Sequence, residues 1–276
     1  SSGILQINIL IGTIIASFEP GAVSYLYYAD RIYQLPLALI GIAIGITMLP
    51  NISKKIKTSD KQDVNNTIEE MIIYSLLLAI PASIALFTIP EIIIKTLFER
   101  GAFNQITTYN SGLALKLFST GLVAFILTKI LTPIYFANEN PKPPMNFALV
   151  TVIINASLSI YLFQLIGFLG IAAATSISSW CNVFLLYIDL KKNNYFFHTK
   201  KFLKPLSMII FSSLVMCIYL FCIKILFIKA EFSNLYYQIL LFVLMIVSAI
   251  IVYFLIMSLY KPFSYVKLRK NLLSNE

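Results

Sequence analysis

The chain of 276 residues is 59% hydrophobic and only 12% charged, with a mean hydropathy of +0.84. A soluble domain of this length could not stay in solution on so few charges, so the composition excludes one and points to an integral membrane protein. The net charge of +9 would suit nucleic acid in a soluble protein; here the basic residues lie mostly between apolar stretches, which ties them to topology and to anionic membrane lipid, not to nucleic acid.

Apolar runs of about 20 residues recur along the chain, the length a helix rising about 1.5 Å per residue needs to cross a hydrocarbon core of about 30 Å. Strict alternation of polar and apolar residues, the mark of a membrane β-barrel, is missing. The expected fold is therefore all-α, a polytopic helical bundle with eight spans at roughly 4–18, 25–50, 68–90, 109–136, 145–164, 168–190, 205–228 and 235–260. Between them stand "FEPGAVS", "NISKKIKTSDKQDVNN", "PEIIIKTLFERGAFNQ", "ANENPKPP", a tight turn near Gly167, "KKNNYFFHTKKFLK" and "IKAEFSN". Each carries the prolines, charges or turn formers that end a span.

Eight spans put both ends on one side, and the loops divide into two sets with 14 and 4 lysines and arginines respectively. The richer set includes Lys54, Lys55, Lys57, Lys61, Lys142, Lys191, Lys192 and the tail residues Lys267, Arg269 and Lys270; the poorer holds Arg31, Lys95, Arg100 and Lys229. By the positive-inside rule the C-terminus is cytoplasmic. Lys116, Lys129 and Lys224 fall within spans. The opening "SSGILQINILIGTIIASF" has no basic n-region or cleavage site and no initial Met, so a piece of a longer chain is expected.

No enzyme site takes shape. Cys181, Cys217 and Cys222 lie in apolar segments without metal or disulfide spacing, and His198 is the only histidine, in a loop. No carboxylate pair recurs in the spans, and no Ser or Cys has a base partner. No cofactor or metal is implied. A membrane-embedded enzyme acting on prenyl phosphates would need clustered acids for a metal, and they are missing.

The stretch "YLYYADRIYQLPLALIGIAIG" places an acid and a base, Asp30 and Arg31, at the start of the second span. The uncharged run 35–49 covers only about 22 Å of the core, so the span must extend toward its N-terminus and take in Tyr27, Tyr28, Asp30 and Arg31. A charge at that depth costs at least about 2.5 kcal/mol and requires a partner or a function. Adjacent helix residues point about 100° apart, so Asp30 does not readily neutralise Arg31. Its planar guanidinium is then available to grip two oxygens of a phosphate or diphosphate; the alternative is snorkelling beside Tyr25, Tyr27, Tyr28 and Tyr33.

With these residues in view, "SYLYYADRIYQLPLALIGIAIGITMLPNISK" resembles the signature of the MurJ/MviN lipid II flippases of the multidrug/oligosaccharidyl-lipid/polysaccharide exporter superfamily, and "LFERGAF" at 97–103 and "KILTPIYFANENPKPP" at 129–144 resemble two further motifs of that family. The resemblance runs the length of the chain. It implies that the eight spans correspond to the seventh to fourteenth of a fourteen-helix fold: residues 1–192 as its six-helix C-terminal lobe, 202–262 as an added pair forming a groove for a prenyl tail, and 263–276 as a basic cytoplasmic tail. It also implies a bacterial inner-membrane transporter that moves lipid II, the undecaprenyl-diphosphate-linked peptidoglycan precursor, to the periplasmic leaflet by alternating access, with an N-terminal lobe completing the cavity. An exporter of another prenyl-linked oligosaccharide is the alternative.

The same resemblance assigns Arg31 to the diphosphate or sugar, with Asp30 as its neighbour. Many members carry Glu three residues after the arginine where this chain has Gln34, which removes an acid that could handle a proton. Lys129, ahead of Pro133, is expected at the cavity or the lobe interface, or snorkelling to the cytoplasmic surface. Asn8, Asn155, Ser159 and Thr175 match positions where some members hold sodium; with Ser159 in place of a carboxylate, interhelical hydrogen bonding is the favoured role. Gly41 and Gly45 form a GxxxG pair suited to close helix packing, and Pro36, Pro81 and Pro133 are expected to bend their spans.

Overall fold

The computed structural model describes residues 2–58, 61–193, 195, 200–229 and 235–259. His198 and the basic tail beyond 259, with Lys261, Lys267, Arg269 and Lys270, lie outside the described residues. Those described form nine helices and no strand: α1 (Ser2–Ala16), α2 (Ala22–Thr58), α3 (Lys61–Thr88), α4 (Pro90–Phe98), α5 (Gln105–Ala137), α6 (Lys142–Ile166), α7 (Leu169–Lys192), α8 (Lys200–Lys229) and α9 (Leu235–Ser258). Among them α3 and α5 to α9 are long and apolar enough to cross a bilayer, and α1 has the shorter apolar stretch Gln6–Ala16. Eight helices match the eight expected spans. The ninth, α4, occupies "PEIIIKTLF", which the sequence reading treats as a break.

The helix ends follow local chemistry. Ile89 leaves helical geometry just before Pro90, whose missing N–H costs nothing in a first turn, so α3 and α4 stay separate. Asn104 caps α5 by accepting from the Thr107 N–H at 3.0 Å. Gly167, at φ 63°, ends α6 with its N–H on the Phe163 carbonyl at 2.9 Å, a left-handed turn where a side chain would be strained. The first N–H after that turn, on Phe168, donates to Glu19 Oε2 at 2.7 Å, so the α1–α2 corner caps the start of α7.

Helix α5 is the axis of the bundle, with α2, α3 and α7 packed around it. Tyr33 of α2 stacks on Phe118 at 5.4 Å between ring centroids and meets Phe125 at 5.5 Å. On the α7 side Gly121 lies so close to Ser176 that an added Cβ would sit 2.9 Å from the serine Cα, and Ser176 Oγ donates to the Leu117 carbonyl at 2.7 Å. Ser83 of α3 likewise donates to the Ser119 carbonyl at 2.6 Å. These small-residue contacts bring backbones close where lipid offers no hydrophobic push between helices. Helix α6 lies against α7 and α1, α8 against α3, and α9 against α8.

Pro81, inside α3, has no N–H for the carbonyl of Leu77 four residues back. Tyr253 of α9 supplies the missing donor, its hydroxyl reaching that carbonyl at 2.8 Å from a buried position. The proline site in one helix is thus the docking point of another. Tyr253→Phe is expected to cost about 1–2 kcal/mol, the penalty of stranding a buried acceptor, measured by unfolding in detergent micelles. In a Pro81→Ala background the same substitution should cost close to nothing, because the alanine N–H recovers the Leu77 carbonyl.

Candidate functional site

The N-terminal half of α2 has two faces. Ala22, Leu26, Ala29, Ile32 and Tyr33 are buried toward the bundle, while Tyr27, Arg31, Leu35 and Leu39 form an exposed row at helical spacing. Tyr27 is 52% and Leu35 59% exposed, so Arg31 stands in an open apolar stripe. Its guanidinium carbon lies 4.7 Å from the centre of the Tyr27 ring, one turn nearer the helix start. A cation over an aromatic face is attracted by the ring quadrupole while its N–H fork stays available.

Asp30 and Gln34 are four residues apart, and the Gln34 amide Nε2 donates to Asp30 Oδ2. The acid thus has a partner along its own side of the helix, while Arg31 is turned to the open face. Expected separation of the adjacent charges agrees with this geometry; the Asp30–Gln34 bond itself rests on a spacing that the sequence reading passed over. Gln34 now has a definite role: its amide nitrogen can only donate to the carboxylate there, whereas an acid at 34 would have to share a proton with it.

Lys129 is exposed on α5, and its stem runs beside Gly41 of α2, 3.9 Å from where a Cβ there would stand. Gly41 is ten residues beyond Arg31, about 15 Å along the helix, so the two cations are not brought to one point. They mark two depths along the α2–α5 seam. Lys116 and Lys224 have other surroundings: the Lys116 ammonium lies 4.8 Å over the Phe87 ring, and Lys224 donates to the Thr88 carbonyl at 3.4 Å at the end of α3.

The polar group on α1 and α6 comes together in part. Asn155 Nδ2 donates to Asn8 Oδ1 at 2.5 Å, and Ser159 Oγ donates to Asn155 Oδ1 at 3.3 Å. Thr175 turns its hydroxyl to its own helix, donating to the Ile171 carbonyl at 2.8 Å. Asn8, Asn155 and Ser159 therefore form a neutral hydrogen-bonded link from α1 to α6, and Thr175 stands apart from it. Asn155→Ala should lower stability by about 0.6–1.7 kcal/mol, and thermal unfolding should show the same loss in sodium chloride and in potassium chloride.

A family model described as "Lipid II flippase MurJ" matches residues 1–267. A probable lipid II flippase MurJ of Rhizobium tropici is 38% identical over 216 residues, covering 78% of this chain and 40% of that protein. Its counterpart in Rickettsia prowazekii is 41% identical over 187 residues, covering 68% and 37%. A solved lipid II flippase MurJ in an inward closed conformation superposes with a TM-score of 0.77 at 26% identity, over 93% of this chain and 51% of that one. A transporter of the MOP superfamily from Pyrococcus furiosus shares the fold, with a TM-score of 0.57 at 17% identity. The chain spans about two fifths of the length of the curated relatives and about half of the solved flippase. With its helices arranged as in that flippase and its match to the family running through residue 267, the chain belongs to the lipid II flippase MurJ family.

Proposed function

We propose that this chain forms the C-terminal part of a lipid II flippase, which carries the undecaprenyl-diphosphate-linked precursor from the cytoplasmic to the periplasmic leaflet of the bacterial inner membrane by alternating access. Residues 1–192 make the six-helix lobe, 202–262 the added pair beside the prenyl tail, and 263–276 a basic tail. Transport needs an N-terminal lobe facing the open stripe of α2, since half of a two-lobed cavity encloses nothing. No bond is made or broken: the work is differential binding of one lipid by two conformations.

The observation that carries this reading is the Arg31 guanidinium, exposed on the open face of α2 and backed by the Tyr27 ring, beside an Asp30 that accepts a hydrogen bond from Gln34. A diphosphate offers the oxygen pairs that a guanidinium grips two at a time, and the cation–π contact holds that fork without consuming a donor. Lys129, about 15 Å deeper, offers a point charge to the head group at the opposite stage of the passage. Asp30 and Gln34 contribute by staying paired with each other.

With both lobes present, Arg31→Ala should abolish complementation of a flippase-depleted strain at unchanged protein level, while Arg31→Lys, which keeps the charge and loses the fork, should rescue only in part. Normal growth with Arg31→Ala would remove Arg31 from the mechanism. In reconstituted vesicles, flipping of another prenyl-linked oligosaccharide in preference to lipid II would point to a different cargo.

The distribution of basic residues puts the C-terminus in the cytoplasm. A fluorescent protein fused after residue 276 should therefore fluoresce and an alkaline phosphatase fusion should stay silent; the reverse pattern would invert the orientation.

A further inference from the structure

The 97–103 segment, "LFERGAF", has no part in the binding described so far, yet its rings lie against the turn of α2 that presents Arg31. Phe98 closes α4 and Phe103 precedes α5, with ring centroids 6.0 Å apart. Between them Gly101 adopts φ 57°, a left-handed step that folds the chain back, and the Phe103 N–H closes the turn on the Arg100 carbonyl at 3.0 Å. Two more bonds brace it: Thr108 Oγ1 donates to Glu99 Oε2 at 2.6 Å, and Arg100 donates to the Thr96 carbonyl at 3.2 Å. The turn is a braced block carrying two rings on one side.

Both rings meet Tyr28. Phe98 lies 4.9 Å from it, tilted, and Phe103 lies 4.8 Å from it, edge to face. Tyr28 in turn meets Tyr27 edge to face at 5.7 Å, and Tyr27 carries the Arg31 guanidinium on its face at 4.7 Å. A continuous row of ring contacts therefore runs from the braced turn to the cation. Tyr27 is half exposed, and its edge contact with Tyr28 is a restraint on its ring.

We infer that the 97–103 turn is a positioning element for Arg31, setting through Tyr28 and Tyr27 the plane in which the guanidinium meets its anionic partner. The inference rests on the reading of Arg31 as the head-group cation. It also makes the turn a coupling point: a shift of α4 against α2 changes the ring that holds the cation, so the grip on the diphosphate follows the position of the α4–α5 corner.

The test is a double-mutant cycle on lipid II binding, with both lobes present in nanodiscs. Phe98→Leu/Phe103→Leu, which keeps apolar bulk and removes the rings, should weaken lipid II binding about threefold to tenfold, the worth of one or two aromatic contacts. Phe98→Tyr/Phe103→Tyr should restore it. In an Arg31→Ala background the leucine pair should weaken binding no further, because the turn acts through a side chain no longer there. Equal weakening in both backgrounds, or none beside an intact Arg31, would overturn the inference while leaving the role of Arg31 standing. If Arg31→Ala itself binds lipid II as tightly as the parent protein, the head-group reading fails first and takes the positioning role with it. Phe103→Leu alone, expected at about threefold, repeats the cycle should the double variant not assemble.

Discussion

In a bilayer every buried backbone polar group has to be satisfied by the protein itself, and this requirement governs how the nine helices of the described residues fit together. At two interruptions another element supplies the missing partner. Pro81 strands the Leu77 carbonyl and Tyr253 of α9 comes to it. The turn after α6 frees the Phe168 N–H and Glu19 from the α1–α2 corner takes it. At the other end of α7, Tyr135 of α5 donates to the Leu186 carbonyl at 3.1 Å and to Asp189 Oδ2 at 2.9 Å. Two irregular points of single helices are thus points at which helices are joined, alongside the small-residue contacts of α5 with α3 and α7.

The same requirement separates Arg31 from the other embedded cations. Lys224 is satisfied by the final carbonyl of α3, a helix C-terminus whose partial negative charge suits it, and Lys116 rests on Phe87. Arg31 has the better donor geometry and rests on a ring face, with the Asp30 carboxylate acting on it electrostatically. Its acidic neighbour is engaged by Gln34, one turn on, when a carboxylate could have been spent on the arginine. An arrangement that pairs the acid with an amide and leaves the guanidinium open is one that keeps cationic binding capacity in the stripe.

What sequence made legible was what depends on local spacing. The helices behind the eight expected spans and the breaks at proline and glycine follow from runs of apolar residues measured against a bilayer. Helix α4 was missed because its nine residues are too short to read as a span and begin with Pro90 among other turn signals; it is a helix because Ile92, Ile93, Ile94 and Thr96 find burial against neighbouring elements. The contacts of Tyr28 with Phe98 and Phe103 join residues some 70 positions apart, and that of Tyr253 with Leu77 spans 176. No local periodicity encodes such pairs. Asp30 and Gln34 differ: their spacing of four is plain in the sequence, overshadowed there by the adjacent Asp–Arg pair.

Helix direction decides which end of the stripe the charge serves. Side chains on an α-helix lean toward its N-terminus, and Arg31 does so here, lying over the Tyr27 ring one turn back. The guanidinium therefore sits up to about one pitch, 5.4 Å, nearer the start of α2 than its own Cα, on the side of the bundle where the α4–α5 corner and its two phenylalanines are found. Lys129, at the level of Gly41, stands near the middle of α2. The helix rise from Arg31 to Gly41 is about 15 Å, so an anionic head group moving along this seam would meet the two cations at different depths. For the lipid head group that we propose as cargo, the seam therefore offers two cationic positions, one at the N-terminal part of α2 and one near its middle, and a carrier that must release what it binds is served by such a division.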